Sequence, residues 1–258
     1  MSLPATPWTG TFHVRTDAVT PQGTATVPAL CALLQEAAGR HADALDVSMQ
    51  HLQAEGRAWA LAHLRLALDH PLRWDTPLTV ETWPSGLDGL YATREFVLWA
   101  DDAEIGRATS RWFVLDTERR RPVRPPRSLY DLETPNRPRP LAPKPEDLSP
   151  PARLDHTLSR TVRHPDLDLN GHLNSVRTLT WALRPLPDAL HETHRCARVA
   201  LQFRAEAARG VPVRVTAQVE DAGDDRIVHH ALHNTDASTL LTTARTVWTP
   251  RAQGPATP

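Results

Sequence analysis

Hydrophobic positions follow the same order twice along the chain. In the first half, leucine and alanine recur with a helical period of about 3.6 residues after Thr26 and Pro28. A threonine followed two residues later by proline is typical of a helix N-terminus, because the hydroxyl caps the first turn and proline needs no N–H there. Strand-like alternation then predicts four strands, at residues 64–68, 78–80, 91–99 and 107–115.

The second half repeats this order. A helical pattern at about residues 173–183 precedes strand-like segments at 199–203, 211–215, 227–233 and 240–248. An offset of 135 residues lays segment 77–80 on segment 212–215 and segment 64–68 on segment 199–203. A repeat of this length indicates a duplicated domain. One long helix followed by antiparallel strands predicts an α+β fold, in which a sheet curls around a helix.

A proline-rich segment separates the two halves. Ten prolines fall between positions 122 and 151. Because proline lacks the N–H that helices and sheets require, this density predicts an extended linker without either element. We therefore expect an N-terminal domain at residues 1–121, a linker at 122–151 and a C-terminal domain at 152–258.

The bulk composition narrows the class of protein. The chain has 258 residues and a formal net charge of −1, which gives no support for nucleic-acid or membrane binding. Two cysteines are too few for a disulfide scaffold and fit a reducing compartment. No secretory signal is visible, and no apolar run approaches the roughly 20 residues of a membrane span. We expect a cytoplasmic protein with no nucleic-acid partner and no membrane span.

The candidate chemistry lies just before the second predicted helix. Asp168, Asn170 and His172 occupy alternate positions, so on an extended segment their side chains share one face. This carboxylate, amide and imidazole could hold an acyl carbonyl and a water molecule, while the backbone N–H groups of Gly171 and His172 at the helix start could bind an oxyanion. Spacing alone leaves an alternative, in which an Asp-rich turn simply caps the helix and His172 is solvated.

Residues 166–177 resemble the signature of the acyl-ACP thioesterase family of plants and bacteria. The matching positions are Asp166, Asp168, Asn170, His172, Asn174 and Arg177. Ser175 departs from the family's second asparagine. A further acidic residue of the family is matched by Glu206, whereas Ala207 stands where the family has a cysteine. The resemblance covers roughly residues 10–250 and is more specific in the second half.

The resemblance implies a tandem hotdog fold that hydrolyses fatty acyl thioesters, with acyl-ACP the preferred substrate, to free fatty acid and carrier thiol. The implied catalytic set is Asp168, Asn170, His172 and Glu206, with either Asp168 or Glu206 as the base. The implied partner is an acidic acyl carrier protein. The arginine-rich run 119–127 is either a solvated turn or a docking patch for that carrier. An acyl-CoA thioesterase on the same scaffold and a non-catalytic acyl-thioester binder remain alternatives.

No cofactor is expected, and no metal. His191, His194 and Cys196 lie close in sequence, but the lack of a fourth ligand argues against a zinc site. Since a tandem hotdog is already a pseudo-dimer, the chain is expected to be either a monomer or a homodimer.

We expect one active site per chain. Segment 24–28 precedes the first helix where residues 168–172 precede the second, and it carries no carboxylate, amide or imidazole. The first half is therefore expected to bind the acyl chain along one face of its helix. The predicted substrate-binding residues on that face are Leu30, Leu33, Leu34 and Ala37.

Overall fold

The structure is a computed structural model that describes residues 6–141, 148–236 and 238–251. The chain divides into two compact units, Met1–Pro145 and Glu146–Pro258. Each unit combines an antiparallel sheet with a central helix, so the α+β class predicted from the hydrophobic pattern is confirmed.

The first unit contains a long helix and a mainly five-stranded sheet. Its helices are α1 (Val27–Ala44), α2 (Met49–Ala54) and α3 (Arg127–Tyr130). Its strands are β1 (Trp8–Phe12), β2 (Arg57–Leu68), β3 (Leu78–Asp88), β4 (Tyr91–Ala100), β5 (Ala103–Asp116) and β6 (Arg121–Val123). The antiparallel order is β1-β3-β4-β5-β2, with the short β6 paired to β5.

The second unit repeats this strand order. Its helices are α4 (Ser175–Leu183) and α5 (Asp188–Thr193). Its strands are β7 (His156–Thr161), β8 (His194–Phe203), β9 (Pro212–Ala222), β10 (Asp225–Asn234) and β11 (Thr239–Pro250). The antiparallel order β7-β9-β10-β11-β8 matches that of the first unit strand for strand.

The central helices explain why each sheet curls. Thr26 is the N-cap of α1, and its hydroxyl accepts a hydrogen bond from the N–H of Ala29, as the sequence predicts. The apolar face of α1 is buried and packs against β1 and β3. In the second unit α4 packs against β9 and β10 in the same way. Burying one helical face against a pleated sheet removes apolar surface from water, and this is the main stabilising contribution of each unit.

The prediction of an extended linker over 122–151 is wrong in its first part. Pro122 lies in β6, opposite Leu115 of β5, and Arg127–Tyr130 form α3. A short strand that pairs on one side tolerates proline, because the missing N–H can face away from the partner. Leu129 of α3 is buried in a cluster of the first unit, so this unit extends beyond residue 121. Residues 142–147 of the predicted linker lie outside the described part of the chain.

Candidate active site

The loop between β7 and α4 is a tight hairpin. After a short 3₁₀ helix at His164–Asp166, Leu167 and Leu173 face each other across the loop. The N–H of Asp168 donates to the carbonyl of His172 at 2.8 Å, and the N–H of Gly171 donates to the carbonyl of Asp168 at 3.1 Å. Gly171 has a φ of +77°, a conformation that a residue with a Cβ adopts only with strain.

The side chain of Asp168 holds this hairpin together. Its Oδ1 accepts two backbone hydrogen bonds, from the N–H of Asn170 at 2.8 Å and from that of His172 at 3.2 Å. Asp168 is partly buried, whereas Asn170 is exposed. The predicted convergence of Asp168 and His172 therefore takes place through the backbone of the loop, with the carboxylate fixing where the imidazole begins.

His172 and Glu206 meet across two separate segments. The N–H of Leu173 donates to the carbonyl of Ala207 at 2.8 Å, and His172 forms an isolated bridge with Ala208. These backbone contacts bring Nε2 of His172 to 3.3 Å from Oε2 of Glu206. The His172 side chain is 18% exposed and that of Glu206 is 39% exposed, so both can reach a substrate while remaining paired.

The helix begins later than the sequence predicts. Asn174 is the N-cap of α4, and its Oδ1 accepts from the N–H groups of Val176 at 2.8 Å and Arg177 at 3.2 Å. Gly171 and His172 therefore precede the helix start, and their N–H groups donate to Asp168. Their expected role as oxyanion donors is not met in this loop. A cap residue just before a helical period could have located the start at Ser175, because asparagine is among the strongest N-cap residues.

The first unit contains a structural copy of this loop at residues 20–24. The bridges Val19–Ala25 and Thr24–Arg73 correspond to Leu167–Leu173 and His172–Ala208. The copy also repeats the hydrogen bond across the hairpin, from the N–H of Thr20 to the carbonyl of Thr24 at 2.7 Å.

In this copy, Thr20 and Thr24 occupy the positions of Asp168 and His172. Gly23, with a φ of +69°, stands where the second unit has Gly171. Pro71 takes the place of Glu206. The expectation that residues 24–28 hold this place is wrong, and the true counterpart includes an amide, on Gln22.

The remaining predicted residues are placed as follows. In the first unit Leu30, Leu34 and Ala37 are fully buried on α1, whereas Leu33 is partly exposed. The arginine-rich run 119–127 lies on the turn after β5, on β6 and on α3. Within the described ranges, no group of three or more His, Cys, Asp and Glu side chains could hold a metal ion. No helix there is long and apolar enough to cross a membrane.

Comparison with known proteins places this loop in a family. The model of the acyl-ACP thioesterase N-terminal domain matches residues 6–132, and that of the C-terminal domain matches residues 152–250. The chain belongs to the acyl-ACP thioesterase family. The family's C-terminal domain model thus spans both segments that carry the His172–Glu206 pair.

Individual acyl-ACP thioesterases share only a minority of their residues with this chain. The chain is 28% identical over 214 residues to the chloroplastic oleoyl-acyl carrier protein thioesterase of Coriandrum sativum, with 76% of this chain and 58% of the relative covered. It is 23% identical over 259 residues to the chloroplastic dodecanoyl-[acyl-carrier-protein] hydrolase of Cinnamomum camphora, with 93% and 67% covered. The chain thus spans 58–67% of the length of these relatives.

Solved structures of the family share the fold. An acyl-ACP thioesterase from Bacteroides thetaiotaomicron matches with a TM-score of 0.82 at 24% identity, covering 94% of this chain and 97% of that chain. The 12:0-ACP thioesterase from Umbellularia californica matches with a TM-score of 0.85 at 21% identity, covering 95% and 94%. The predicted tandem hotdog fold is confirmed by these likenesses.

Proposed function

We propose that this protein hydrolyses fatty acyl-ACP to free fatty acid and carrier thiol. The observation that carries the proposal is the 3.3 Å approach of His172 Nε2 to Glu206 Oε2 in the C-terminal unit of a chain that belongs to the acyl-ACP thioesterase family. An imidazole beside a carboxylate supplies both a proton acceptor and a proton donor, as thioester hydrolysis requires. Two plant relatives of this chain are an oleoyl-acyl carrier protein thioesterase and a dodecanoyl-[acyl-carrier-protein] hydrolase.

In the proposed reaction Glu206 is the base. Its carboxylate takes a proton from a water molecule whose oxygen adds to the thioester carbonyl carbon. Collapse of the tetrahedral intermediate breaks the C–S bond, and the thiolate leaves with a proton relayed through His172. The proton that Glu206 takes from water thus passes to His172 and then to the leaving sulfur, and no atom changes its oxidation state.

Geometry favours Glu206 over Asp168 as this base. Oδ1 of Asp168 accepts two backbone N–H groups, so this carboxylate is held within the hairpin, whereas Oε2 of Glu206 faces the imidazole that receives the proton. Buried or partly buried backbone N–H groups are costly to leave without an acceptor. We therefore assign Asp168 the role of holding the loop, and Glu206 that of activating water.

The side-chain amide of Asn170 is our candidate oxyanion donor. The N–H groups of Gly171 and His172 donate to Asp168, while those of Val176 and Arg177 donate to the Asn174 side chain. This leaves the exposed Asn170 as a neutral donor on the loop that can turn towards a substrate oxygen. An amide donor placed where negative charge develops stabilises the transition state.

The reaction is tested by measuring release of free thiol from matched substrates. Palmitoyl-ACP and palmitoyl-CoA at equal concentrations should both be offered to the purified protein, with Glu206→Gln as the inactive comparison. Faster release from the carrier-protein substrate supports the proposal, and faster release from CoA would favour an acyl-CoA thioesterase. Binding of either thioester without any thiol release would instead favour a non-catalytic acyl-thioester binder.

We also propose that the reaction belongs to fatty acid biosynthesis in the cytoplasm. Cys31 and Cys196 are both buried and unbridged, which fits a reducing compartment.

In this proposal the C-terminal unit is catalytic and the N-terminal unit binds the acyl chain. Whether the working form is a monomer or a homodimer follows from light scattering of the purified protein at its assay concentration.

A further inference from the structure

A large apolar side chain stands in water at the tip of the candidate catalytic loop. Leu169 lies between Asp168 and Asn170 and is 89% exposed, the highest fraction of any large hydrophobic residue in the described part of the chain. Its neighbours are hydrogen bonded into the hairpin, so the leucine cannot fold inwards without breaking the loop. A single exposed leucine is unremarkable by itself, and its surroundings decide whether it can serve as an anchor.

Three exposed arginines surround this loop. Arg163 precedes the 3₁₀ helix, Arg177 lies in the first turn of α4, and Arg209 follows the residue that bridges to His172. Within the described residues, none of these guanidinium groups forms an ion pair.

The acidic residues of the same segments already have partners within those segments. Asp166 accepts from the N–H of Arg163, Asp168 closes the hairpin and Glu206 meets His172. These carboxylates are thus engaged within their own segments, whereas the three guanidinium groups are left to pair with carboxylates of a partner.

The N-terminal copy of the loop serves as an internal comparison. Pro21 takes the place of Leu169, and Ala29 takes the place of Arg177 in the first turn of the helix. Trp74 stands where the second unit has Arg209. Arg15 is the counterpart of Arg163, but its guanidinium is bound to Asp17 at 3.1 Å. The first copy keeps one exposed arginine, Arg73, beside the 48% exposed Trp74. The second copy differs by an exposed leucine at the tip of the hairpin with three such arginines near it.

We propose that Leu169 with Arg163, Arg177 and Arg209 forms the docking surface for an acidic carrier protein. An apolar anchor ringed by arginines is the composition expected at the centre of a protein–protein interface, and arginine pairs well with carboxylates of a partner. The proposal rests on the proposed function and names the surface by which that substrate is delivered. The arginine-rich run 119–127 is the rival surface.

The experiment compares one acyl group on two carriers. Steady-state kinetics are measured with palmitoyl-ACP and with palmitoyl-pantetheine, which lacks the protein. Variants L169D, R163A, R177A and R209A are each compared with wild type. The expected result is a KM for palmitoyl-ACP raised about 5- to 30-fold, which exceeds any change seen with palmitoyl-pantetheine at least fivefold. The wild-type KM for palmitoyl-ACP should also rise with ionic strength, and less so in the arginine variants.

Matched control variants come from the same unit and from the rival surface. Leu154 is 60% exposed and lies two residues before β7, so that about 20 Å of strand separates it from the loop. Arg184 is exposed at the opposite end of α4. L154S and R184A should leave both KM values unchanged, as should R121A and R124A in the rival run. A raised KM for palmitoyl-ACP in R121A or R124A, with L169D unchanged, would overturn the proposal.

The remaining outcomes separate the surface from the reaction itself. If the docking variants raise the KM equally for both substrates, the residues act on the loop itself. The docking surface is then refuted, while the proposed hydrolysis stands. With palmitoyl-CoA as a third substrate, a KM raised only for that thioester would show that the arginines bind phosphate, and the carrier-protein surface would again be refuted. If wild type hydrolyses neither palmitoyl thioester, it is the proposed function that fails. Circular dichroism identifies a misfolded L169D, and L169S then takes its place.

Discussion

Nε2 of His172 lies 3.3 Å from Oε2 of Glu206, although the two residues are held by different segments of the chain. The contact depends on backbone pairing between their neighbours, Leu173 with Ala207 and His172 with Ala208. A main-chain scaffold of this kind positions both side chains before a substrate arrives. Such preorganisation lowers the reorganisation that the reaction would otherwise require.

Removing the carboxylate charge of Glu206 should abolish most activity. We expect Glu206→Gln to lower kcat about 10²- to 10⁴-fold with the fold intact, because an amide cannot accept the proton of water. Glu220 provides a matched control, since its Oε2 lies 3.5 Å from Nε2 of His229 in another His–Glu pair of the same unit. Glu220→Gln should retain wild-type turnover in the thiol-release assay. Near-normal activity of Glu206→Gln would transfer the role of base to Asp168.

Two substitutions at Asp168 separate a base from a loop-holding residue. Asparagine keeps an Oδ1 that can accept the N–H groups of Asn170 and His172, whereas alanine leaves both without this acceptor. We expect Asp168→Asn to lower kcat less than about tenfold, and Asp168→Ala to lower it at least about 100-fold. Equal and severe losses in both variants would identify Asp168 as the group that reacts with the proton.

The two copies of the hairpin allow the effect of loop strain on stability to be separated from its effect on catalysis. Gly171 and Gly23 both have positive φ, at +77° and +69°, and a Cβ at either position would meet no atom within 4 Å. Alanine should therefore cost about 1–2 kcal/mol of unfolding free energy in each copy, from the backbone conformation alone. Only Gly171→Ala should also lower kcat, because only this hairpin carries His172.

The measurement for this pair is chemical denaturation alongside thiol release. Equal losses of stability with activity lost in Gly171→Ala alone would support a single active site in the second unit. A comparable loss of kcat in Gly23→Ala would show that the first hairpin also contributes to turnover.

A buried histidine should make the protein sensitive to acid. Burial lowers the pKa of His230 to about 3, and its Nε2 lies 2.9 Å from the Thr246 hydroxyl. Because the unfolded chain binds this proton near pH 6.5, the stability contributed by neutral His230 is present above that pH and is lost as pH falls towards 3. We expect His230→Gln, which does not ionise, to flatten the fall of Tm between pH 6.5 and 4. An unchanged slope would assign the acid sensitivity to other groups, among them the buried His41.

Much of the fold could be predicted because its signals are local. Thr26 and Pro28 mark the start of α1, and alternation marks the long strands of both sheets. The structure of the proline-rich region could not be predicted in the same way. Whether Pro122 can lie in a strand depends on which side of β6 is paired. The pairing of β6 is a property of the tertiary structure, and the composition of the segment does not indicate it.

The candidate site was predictable only in part, for a physical reason. Strand alignment gives one offset between the units, but the hairpins before the helices follow another, since Leu167 and Val19 are 148 residues apart. A helical segment of different length in the two units separates the two offsets, so strand periodicity could not locate the counterpart of residues 168–172. The approach of Glu206 to His172 likewise has no local signal, and only the family resemblance indicated it.

The first unit should determine the chain length of the fatty acid that is released. Ala37 on α1 and Ala182 on α4 are both fully buried alanines on the central helix of their unit. Leucine at either position overpacks the core and should cost about 1–3 kcal/mol of stability. Since the first unit lacks the His–Glu pair, its interior is free to serve substrate binding. Ala37→Leu should therefore shift the released fatty acids towards shorter chains, whereas Ala182→Leu should leave the profile as in wild type.

Gas chromatography of the products from a mixed acyl-ACP pool measures the shift. A profile changed by Ala182→Leu and untouched by Ala37→Leu would place acyl-chain binding in the second unit.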